Sequence, residues 1–390
     1  MQPLRRVFAL VNGGTPTSEP ENWDGGVAWA TPVDLGRFNG SRITETRRTL
    51  TTMGLRTGGS LVPAGSLIVS TRAPIGYVAE TTIPMAFNQG CRGLVPRIEL
   101  DVRYFRYQLA VSADRLQSRG QGSTFVELSN DGLASFPVAV PAISEQRSIA
   151  DYLNGEISAM DELVEKKRRL VELLQERIDS AIMELVGQTA LAGDDRPLRM
   201  LPLRRELAKL ERPPNRDAPM ITAFRDGQVT ARALRRSEGF TEAWTEGARV
   251  QGVSRGDVVV HGLDGFAGAV GTSEADGVCS PVYHVCAPVG GGDAHFYGRM
   301  LRLLATSGYL GNFATSTRER AVDFRNWDLF GRIPLPLVET AEQRRIGDRI
   351  RRLAPIRERL DRSELLVVER KHALITAAIT GELEIPGVAA

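Results

Sequence analysis

The chain has 390 residues, 42% hydrophobic and 25% charged, with a formal net charge of +2, a globular composition long enough for roughly two to four domains. No apolar run approaches the roughly 18 residues of a membrane span, and Met1-Gln2-Pro3-Leu4-Arg5-Arg6 lacks the apolar core of a signal peptide, so a cytoplasmic protein with no membrane partner is expected. Cys91, Cys279 and Cys286 are too few and too scattered for a disulfide framework or a zinc site, which leaves buried reduced thiols.

Residues 1–135 hold 14 Lys plus Arg against 11 Asp plus Glu, and every one of the 14 is Arg. Arginine can fork onto a guanine edge or a phosphate, although Arg-rich codon usage would give the same count. Gly65–Ser70, Tyr77–Ala79 and Gly93–Pro96 read as short strands among Gly- and Pro-rich loops, and Val102–Leu116 as a short helix.

From Pro137 the pattern changes. Ile149, Leu153, Ile157, Met160, Val164, Lys167, Leu170, Leu174, Ile178, Ala181 and Leu185 recur at three- and four-residue steps, the seam of a coiled-coil-like helix. This stretch, 136–194, is acidic, with 6 basic against 11 acidic residues. The run Lys166-Lys167-Arg168-Arg169 reads as a solvated helical face. Residues 195–333 return to short strands, at Val258–His261, Ala269–Val270 and Tyr283–Ala287, with a helix at Phe296–Leu304. They are mildly basic again, 19 against 16. A second, more ragged seam follows in Ile346, Ile350, Leu353, Leu360, Val367 and Leu374.

The two halves repeat. At an offset of 197, Pro137, Glu145, Gln146, Arg147, Ile149 and Asp151 coincide with Pro334, Glu342, Gln343, Arg344, Ile346 and Asp348. Upstream, Gly65–Ser70 answers Gly256–His261. The spacing predicts a strand-rich module followed by a long helix, written twice. Ser144 and Thr340 stand where N-caps belong, Gly187 and Gly381 where C-caps belong, and Asn154-Gly155 and Pro355 predict a kink or short break. Helices of this size run roughly 40–60 Å and bury their stripes on each other or on their own modules. The domains expected are 1–135, a helical region 136–190, 195–333 and a helical region 334–384, in an α/β (α+β) fold with the two helices pairing as a spacer.

No catalytic constellation occurs. There is no phosphate loop, no Gly-x-Ser-x-Gly elbow and no His-Glu-x-x-His pair, and His261, His284, His295 and His372 lack metal-ligand spacing. The stretch from Gly262 to Gly271 suggests a dinucleotide loop only superficially. No amphipathic helix follows it, so turns are expected.

Gly13-Gly14-Thr15-Pro16, then Trp23, Trp29 and Asp34, then Leu61 through Gly76, Asn88-Gln89-Gly90, Gly122-Ser123-Thr124 and Phe136-Pro137 through Glu145-Gln146 follow one another in an order that resembles the specificity subunits of type I restriction–modification systems. The second half departs from the pattern, lacking the Gly-Gly-Thr-Pro opening and the Asn-Gln-Gly turn. The resemblance implies two target-recognition domains, each binding half of a split, asymmetric sequence in double-stranded DNA, and paired helices that set the gap. It implies docking of two methyltransferase subunits carrying S-adenosylmethionine and, in systems that also cleave, two motor-nuclease subunits using ATP and Mg. The chain itself then catalyses nothing and holds no metal or cofactor.

Candidate DNA-binding residues are those with forked or short polar side chains on loops. In the first module these are Ser70, Thr71, Arg72, Asn88, Gln89, Arg92, Arg119, Ser123 and Thr124. In the second they are Arg225, His261, Arg318, Arg320 and Arg325. Three alternatives remain open. One is a methylation-only or fused-nuclease system, one a structural coiled-coil scaffold without a DNA role, and one an enzyme with an unrecognised site.

Overall fold

Gly65 and Gly256 both take positive φ, 78° and 93°, a conformation that costs glycine little. Each turns the chain into a buried strand, as the repeat predicts. The computed structural model describes residues 1–72, 74–122, 126–191, 200–215, 217–235, 250–313, 323–386 and 388. The chain divides into two compact units, Met1–Val164 with Ser363–Ala390, and Glu165–Arg362.

The first unit opens with β1 (Gln2–Pro3), the single turn α1 (Leu4–Val7) and β2 (Phe8–Asn12). There follow β3 (Trp23–Ala30), α2 (Pro32–Arg37), β4 (Ser41–Ile43), β5 (Arg48–Leu50), α3 (Thr52–Gly58), β6 (Leu61–Val62), β7 (Leu67–Thr71), β8 (Ile75–Thr81), β9 (Met85–Phe87) and β10 (Cys91–Pro96). They make a five-stranded sheet, β2-β10-β7-β8-β4, and a four-stranded one, β5-β3-β9-β6. All five residues of β7 are buried. Leu67 and Val69 point into one cluster with Tyr104, Phe105 and Leu109, and Ile68 into another with Leu35 and Phe87, the period-two alternation of a strand covered on both faces. The expected helix 102–116 is two, α4 (Val102–Ala110) and α5 (Ala113–Gln117). Then come α6 (Asn130–Ala134) and β11 (Pro137–Val138), which pairs back with β1.

From β11 the chain enters α7 (Ile143–Leu191), which starts in the first unit and continues into the second. The second unit carries β12 (Met200–Pro202), α8 (Leu203–Glu206), β13 (Leu207–Lys209), β14 (Ile221–Ala223), β15 (Val229–Ala231), β16 (Gln251–Val253), β17 (Val258–His261), β18 (Val270–Thr272), β19 (Gly277–Cys279), β20 (Tyr283–Pro288), α9 (Ala294–Thr306), α10 (Trp327–Phe330) and β21 (Pro334–Pro336). Its main sheet is β13-β20-β17-β18, and β12 pairs with β21 as β1 does with β11. The same corner is built twice: Leu4 N–H donates to Phe136 O, and Leu203 N–H to Ile333 O, each at 2.8 Å. The glycine-rich stretch 262–271 is a 3-10 turn at Gly265–Ala267, a positive-φ Gly268 and the start of β18, as expected of turns.

The last helix is α11 (Thr340–Thr380). In the first unit Ile149 and Leu153 of α7 share an apolar cluster with Leu374, Ile375 and Ala378 of α11, and Lys371 pairs with Asp161. In the second unit Val171, Ile178 and Ile182 share one with Ile346, Ile350, Leu353 and Leu360. The first part of α7 thus goes with the last part of α11 and the reverse, the order of an antiparallel pair. Both clusters also contain module residues, so each helix buries its stripe on the module and on the other helix together.

Several local expectations are corrected. Leu170 is 55% exposed, and the buried residue is its neighbour Val171. Val164, Val171 and Ile178 keep a seven-residue step, and Leu170 lies about 100° round the helix from that line. Ile157, Met160, Leu174 and Val367 are half-buried. Ser144 and Thr340 are not N-caps. The first helical N–H groups bond to Ala142 O (from Gln146) and Glu339 O (from Gln343), which places the caps at Ala142 and Glu339. Gly187 lies inside α7 and caps nothing, whereas Gly381, at φ 79°, does end α11. Neither Asn154-Gly155 nor Pro355 breaks its helix. Asn154 is held from outside, its Oδ1 accepting from the Tyr107 hydroxyl at 2.6 Å.

Candidate nucleic-acid interface

In the first unit the end of β7 meets the turn between β9 and β10. Thr71 is buried; its N–H and Oγ1 both donate to Gly90 O, at 2.8 and 3.1 Å, and its carbonyl accepts from Leu128 N. Asn88 Oδ1 accepts from Gly90 N–H at 3.0 Å, and Asn88 N–H donates to Ala30 O, which extends the β3–β9 pairing by one residue. A Cβ on Gly90 would come within 3.0 Å of Arg72 Nε and 3.3 Å of Asn88 Oδ1. Glycine there is what lets Arg72 and Asn88 approach.

Gln89 is exposed, and Thr15 of the Gly-Gly-Thr-Pro segment donates to its Oε1. Arg92 reaches Gln89 O and Cys91 O, both at 2.9 Å, and Asn130 Oδ1 at 3.1 Å. Arg72 lies 3.8 Å from the Glu127 carboxylate, and Glu127 pairs with Gln121 through two backbone hydrogen bonds of 3.0 Å. The structure therefore gathers Thr71, Arg72, Asn88, Gln89 and Arg92 at one strand end.

Two candidates have other duties. Ser70 is fully buried; its hydroxyl donates to Pro74 O at 2.7 Å and accepts from Tyr77 N–H at 2.9 Å, so it holds the β7–β8 connection. Arg119 makes its contacts with Gly132 O and the Phe136 ring, 5.2 Å away, rather than with the Thr71–Asn88 cluster. Ser123 and Thr124 lie outside the described residues, in the segment flanked by Gln121 and Glu127.

The second unit repeats the strand end with different side chains. Gly262 stands where Thr71 does: its N–H donates to Val282 O at 2.9 Å, and its carbonyl accepts from Phe324 N at 2.7 Å. His261 Nδ1 accepts from the N–H groups of Leu263 and Asp264, at 3.2 and 2.9 Å, and its ring stands edge-on to Tyr283. Accepting at Nδ1 requires the tautomer protonated on Nε2. Burial lowers the His261 pKa, against the pull of Asp264.

Arg225 donates one hydrogen bond to Asp264 at 2.8 Å, whereas Arg325 forks onto Asp323, at 2.6 Å at its shortest. Arg325 also packs over Gly262, whose Cβ would lie 2.8 Å from Arg325 Cγ. The Asp323 carboxyl is drawn down to about 2 by its bonds to Arg325. Arg318 and Arg320 lie outside the described residues, just before Asp323 and Phe324 in sequence. Sequence reasoning missed Glu127, Asp264 and Asp323, the carboxylates that hold the exposed arginines, because nothing in their spacing marks them. It also passed over Thr15, although the motif containing it was noted. Among the described residues no cluster of His, Cys, Asp or Glu could hold a metal, and no helix is long and apolar enough to cross a membrane.

Duplicated modules with polar strand ends, each joined to a long helix, have counterparts among known proteins. Residues 2–173 match the type I restriction modification DNA specificity domain. This stretch is thus similar to the DNA specificity domain of type I restriction–modification systems. The specificity subunit of the type I restriction enzyme MjaIX of Methanocaldococcus jannaschii is 29% identical over 179 residues, 45% of this chain and 40% of that protein. The specificity subunit of EcoR124I/EcoR124II of Escherichia coli is 26% identical over 186 residues, 45% of each. The matched region thus spans less than half the length of these relatives. A solved chain, described under complex assembly and conformational transition of the type I R-M system, shares the fold. Its TM-score is 0.56 at 16% identity, covering 98% of this chain and 97% of that one.

Proposed function

We propose that this chain is the DNA sequence-recognition subunit of a type I restriction–modification complex. Residues 1–135 and 195–333 act as two target-recognition domains, and the helical regions 136–190 and 334–384 act as the frame. Each domain reads one half of a bipartite, asymmetric site in double-stranded DNA. The frame sets the gap and docks two methyltransferase subunits, which bring S-adenosylmethionine, with two motor-nuclease subunits using ATP and Mg where the system also cleaves. The chain contributes recognition and no chemistry.

The observation that carries this reading is the equivalence of the two strand ends. Thr71 and Gly262 occupy the same backbone position, with matching hydrogen bonds, yet their surroundings differ: Arg72, Asn88, Gln89 and Arg92 in one, His261, Arg225 and Arg325 in the other. A constant scaffold bearing different forked and short polar side chains suits two readers of different half-sites. A plain scaffold protein gives no reason for that difference.

The test compares the methylome of cells carrying this gene and its methyltransferase with that of a strain lacking this gene alone. Loss of adenine methylation at one split motif supports the reading, and exchange of residues 1–135 or 195–333 then assigns each half. Unchanged methylation, with the methyltransferase shown to be expressed, favours the scaffold reading instead.

A further inference from the structure

One exposed arginine near the first strand end differs from the candidates drawn from sequence. Arg48, on β5, lays its guanidinium 3.5 Å from the centre of the Trp23 ring, and Trp23 stands edge-on to Trp29 at 4.9 Å. Both tryptophans are buried and anchored: Trp23 Nε1 donates to Thr17 O and Trp29 Nε1 to Gly14 O. The Arg48 backbone is fixed as well. It lies opposite Trp29 in the β3–β5 ladder, and its carbonyl accepts from Thr46 Oγ1, which in turn accepts from Trp29 N–H.

What Arg48 lacks is an acceptor. Arg72, Arg225 and Arg325 each face a carboxylate, whereas the Arg48 guanidinium has no ion pair or hydrogen bond among the described residues. Its flat face is covered by Trp23, and its N–H edge is open. A stacked guanidinium has already lost much of its side-chain freedom, and its parallel N–H pair matches two oxygens of a phosphate.

Its place in the sheet fits such a contact. Trp29, opposite Arg48, pairs on its other side with Ala86 of β9, the strand that leads into Asn88 and Gln89. Gly14 and Thr15 bind this same region, through Phe87 O and Gln89. Arg48 therefore belongs to the second sheet, two strands across from the turn that carries the candidate base readers. We infer that Arg48, pre-oriented by Trp23, grips the DNA backbone beside the first half-site, fixing register rather than reading sequence. The inference rests on the DNA-reading proposal above.

The test uses the complete chain in complex with its methyltransferase subunits. The probes are two duplexes, one carrying the motif lost from the deletion methylome and one with that motif scrambled. Affinity is measured across a salt series for wild type, Arg48→Ala and Arg48→Lys. A phosphate contact predicts that Arg48→Ala weakens both duplexes by a similar factor and lowers the slope of log affinity on log salt by about 1. Arg48→Lys should restore the slope while recovering only part of the affinity, since lysine neither stacks flat nor forks. Arg48→Ala loses the stacking on Trp23, so a small fall in thermal stability is expected, and all affinities are compared at a temperature where every variant is folded.

Unchanged affinity and slope for Arg48→Ala would overturn the inference. Loss confined to the motif duplex would also overturn it, because it would make Arg48 a base reader. Wild type that binds both duplexes equally sinks the sequence-reading proposal instead, and the salt slope then still judges Arg48.

Discussion

Arg103 and Arg351 do the same bridging work from opposite helices. Arg103, on α4, joins Asp101 and Asp151, each at 2.6 Å; Arg351, on α11, joins Asp293 and Asp348 at 2.7 and 2.5 Å. The aspartates are equivalent: Asp101 and Asp293 cap α4 and α9, and Asp151 and Asp348 belong to the repeated motif. The arginines are not. Counting from the caps, His295 stands where Arg103 would be, and counting from the motif, Asn154 stands where Arg351 would be. In each unit an arginine ties module to helix through these two aspartates, and the two halves supply it from different sides.

This arrangement predicts a rescue. Arg351→Asn leaves two carboxylates facing each other, one of them, Asp293, nearly buried. It should lower the opening free energy of α9 by about 1 kcal/mol, a figure held down because Arg351 is 41% exposed and solvent-screened. Adding His295→Arg recreates the first unit's arrangement in the second and should recover most of the loss. Hydrogen exchange of the α9 amides in a double-mutant cycle reads the coupling. Additive effects would mean that the arginine acts alone.

The repeated glutamine makes the second prediction. Gln146 Nε2 donates to Pro141 O at 2.8 Å, and its Oε1 accepts from Asp101 N–H at 2.9 Å. Gln343 does the same with Val338 O and Asp293 N–H, at 2.8 and 3.2 Å. Each is buried and ties the start of a long helix to the N-cap of the neighbouring one. Replacement by Leu orphans a backbone donor and an acceptor, which costs about 1–3 kcal/mol per site. Urea denaturation of each single variant should show losses of similar size. A neutral Gln343→Leu would mean that water takes over these bonds.

The repeat was legible because the Glu-Gln-Arg motif is held by local backbone geometry that tolerates little change. Gln146 and Gln343 contact main chain, which is indifferent to the modules' differing side chains. The strands at 67–71 and 258–261 were legible for a related reason: both start at a positive-φ glycine and run through buried positions. The helix caps were not legible. Ser144 and Thr340 are good capping residues, but the preceding Pro-rich corner sets where each helix starts, and tertiary context overrode propensity. The candidate interface was half legible. Polar residue types at strand ends could be picked out, but Ser70 spends its hydroxyl on the fold and His261 its Nδ1, and only coordinates show that. Arg48 escaped notice because its stacking on Trp23 spans 25 residues of sequence with no periodic signal.

A pH dependence follows from three histidines of the second unit. Burial lowers the pKa of His261, His284 and His295 below the ordinary 6.5. His284 is stacked 5.4 Å from Phe330, bonds Phe324 O through Nε2 at 2.6 Å, and has a buried Nδ1 without a partner among the described residues. A proton added there would be buried and unpaired. The unfolded chain takes up these protons first as pH falls, so the stabilisation is complete above pH 6.5 and is lost as pH drops through the lowered values. Asp323 acts in a separate window: its carboxyl, normally near 3.8, is lowered to about 2, and its contribution disappears only between those values. Hydrogen exchange at pH 8 and pH 5.5 should show β17, β20 and α10 losing protection at the lower pH. Equal protection at both would mean that the rings remain solvated.

The strand ends separate residues that build the fold from residues left for the proposed DNA contact. Ser70→Ala removes a buried hydroxyl with both bonds made and should cost about 1–2 kcal/mol of stability, while leaving the methylated motif unchanged. Glu127→Gln does the opposite. Arg72 and Glu127 are both partly exposed and 3.8 Å apart, so the pair contributes little to stability. Removing the carboxylate's charge leaves Arg72 an uncompensated cation at the proposed interface. Binding to a duplex lacking the motif should then tighten by several-fold at low salt, and discrimination between motif and scrambled duplexes should narrow, because a free arginine grips any phosphate while a paired one must first exchange its partner. Asp264→Asn should act likewise through Arg225 in the second unit. If both variants keep wild-type affinity for the scrambled duplex across the salt series, these arginines do not face DNA, and the reading surface must be sought elsewhere on the modules.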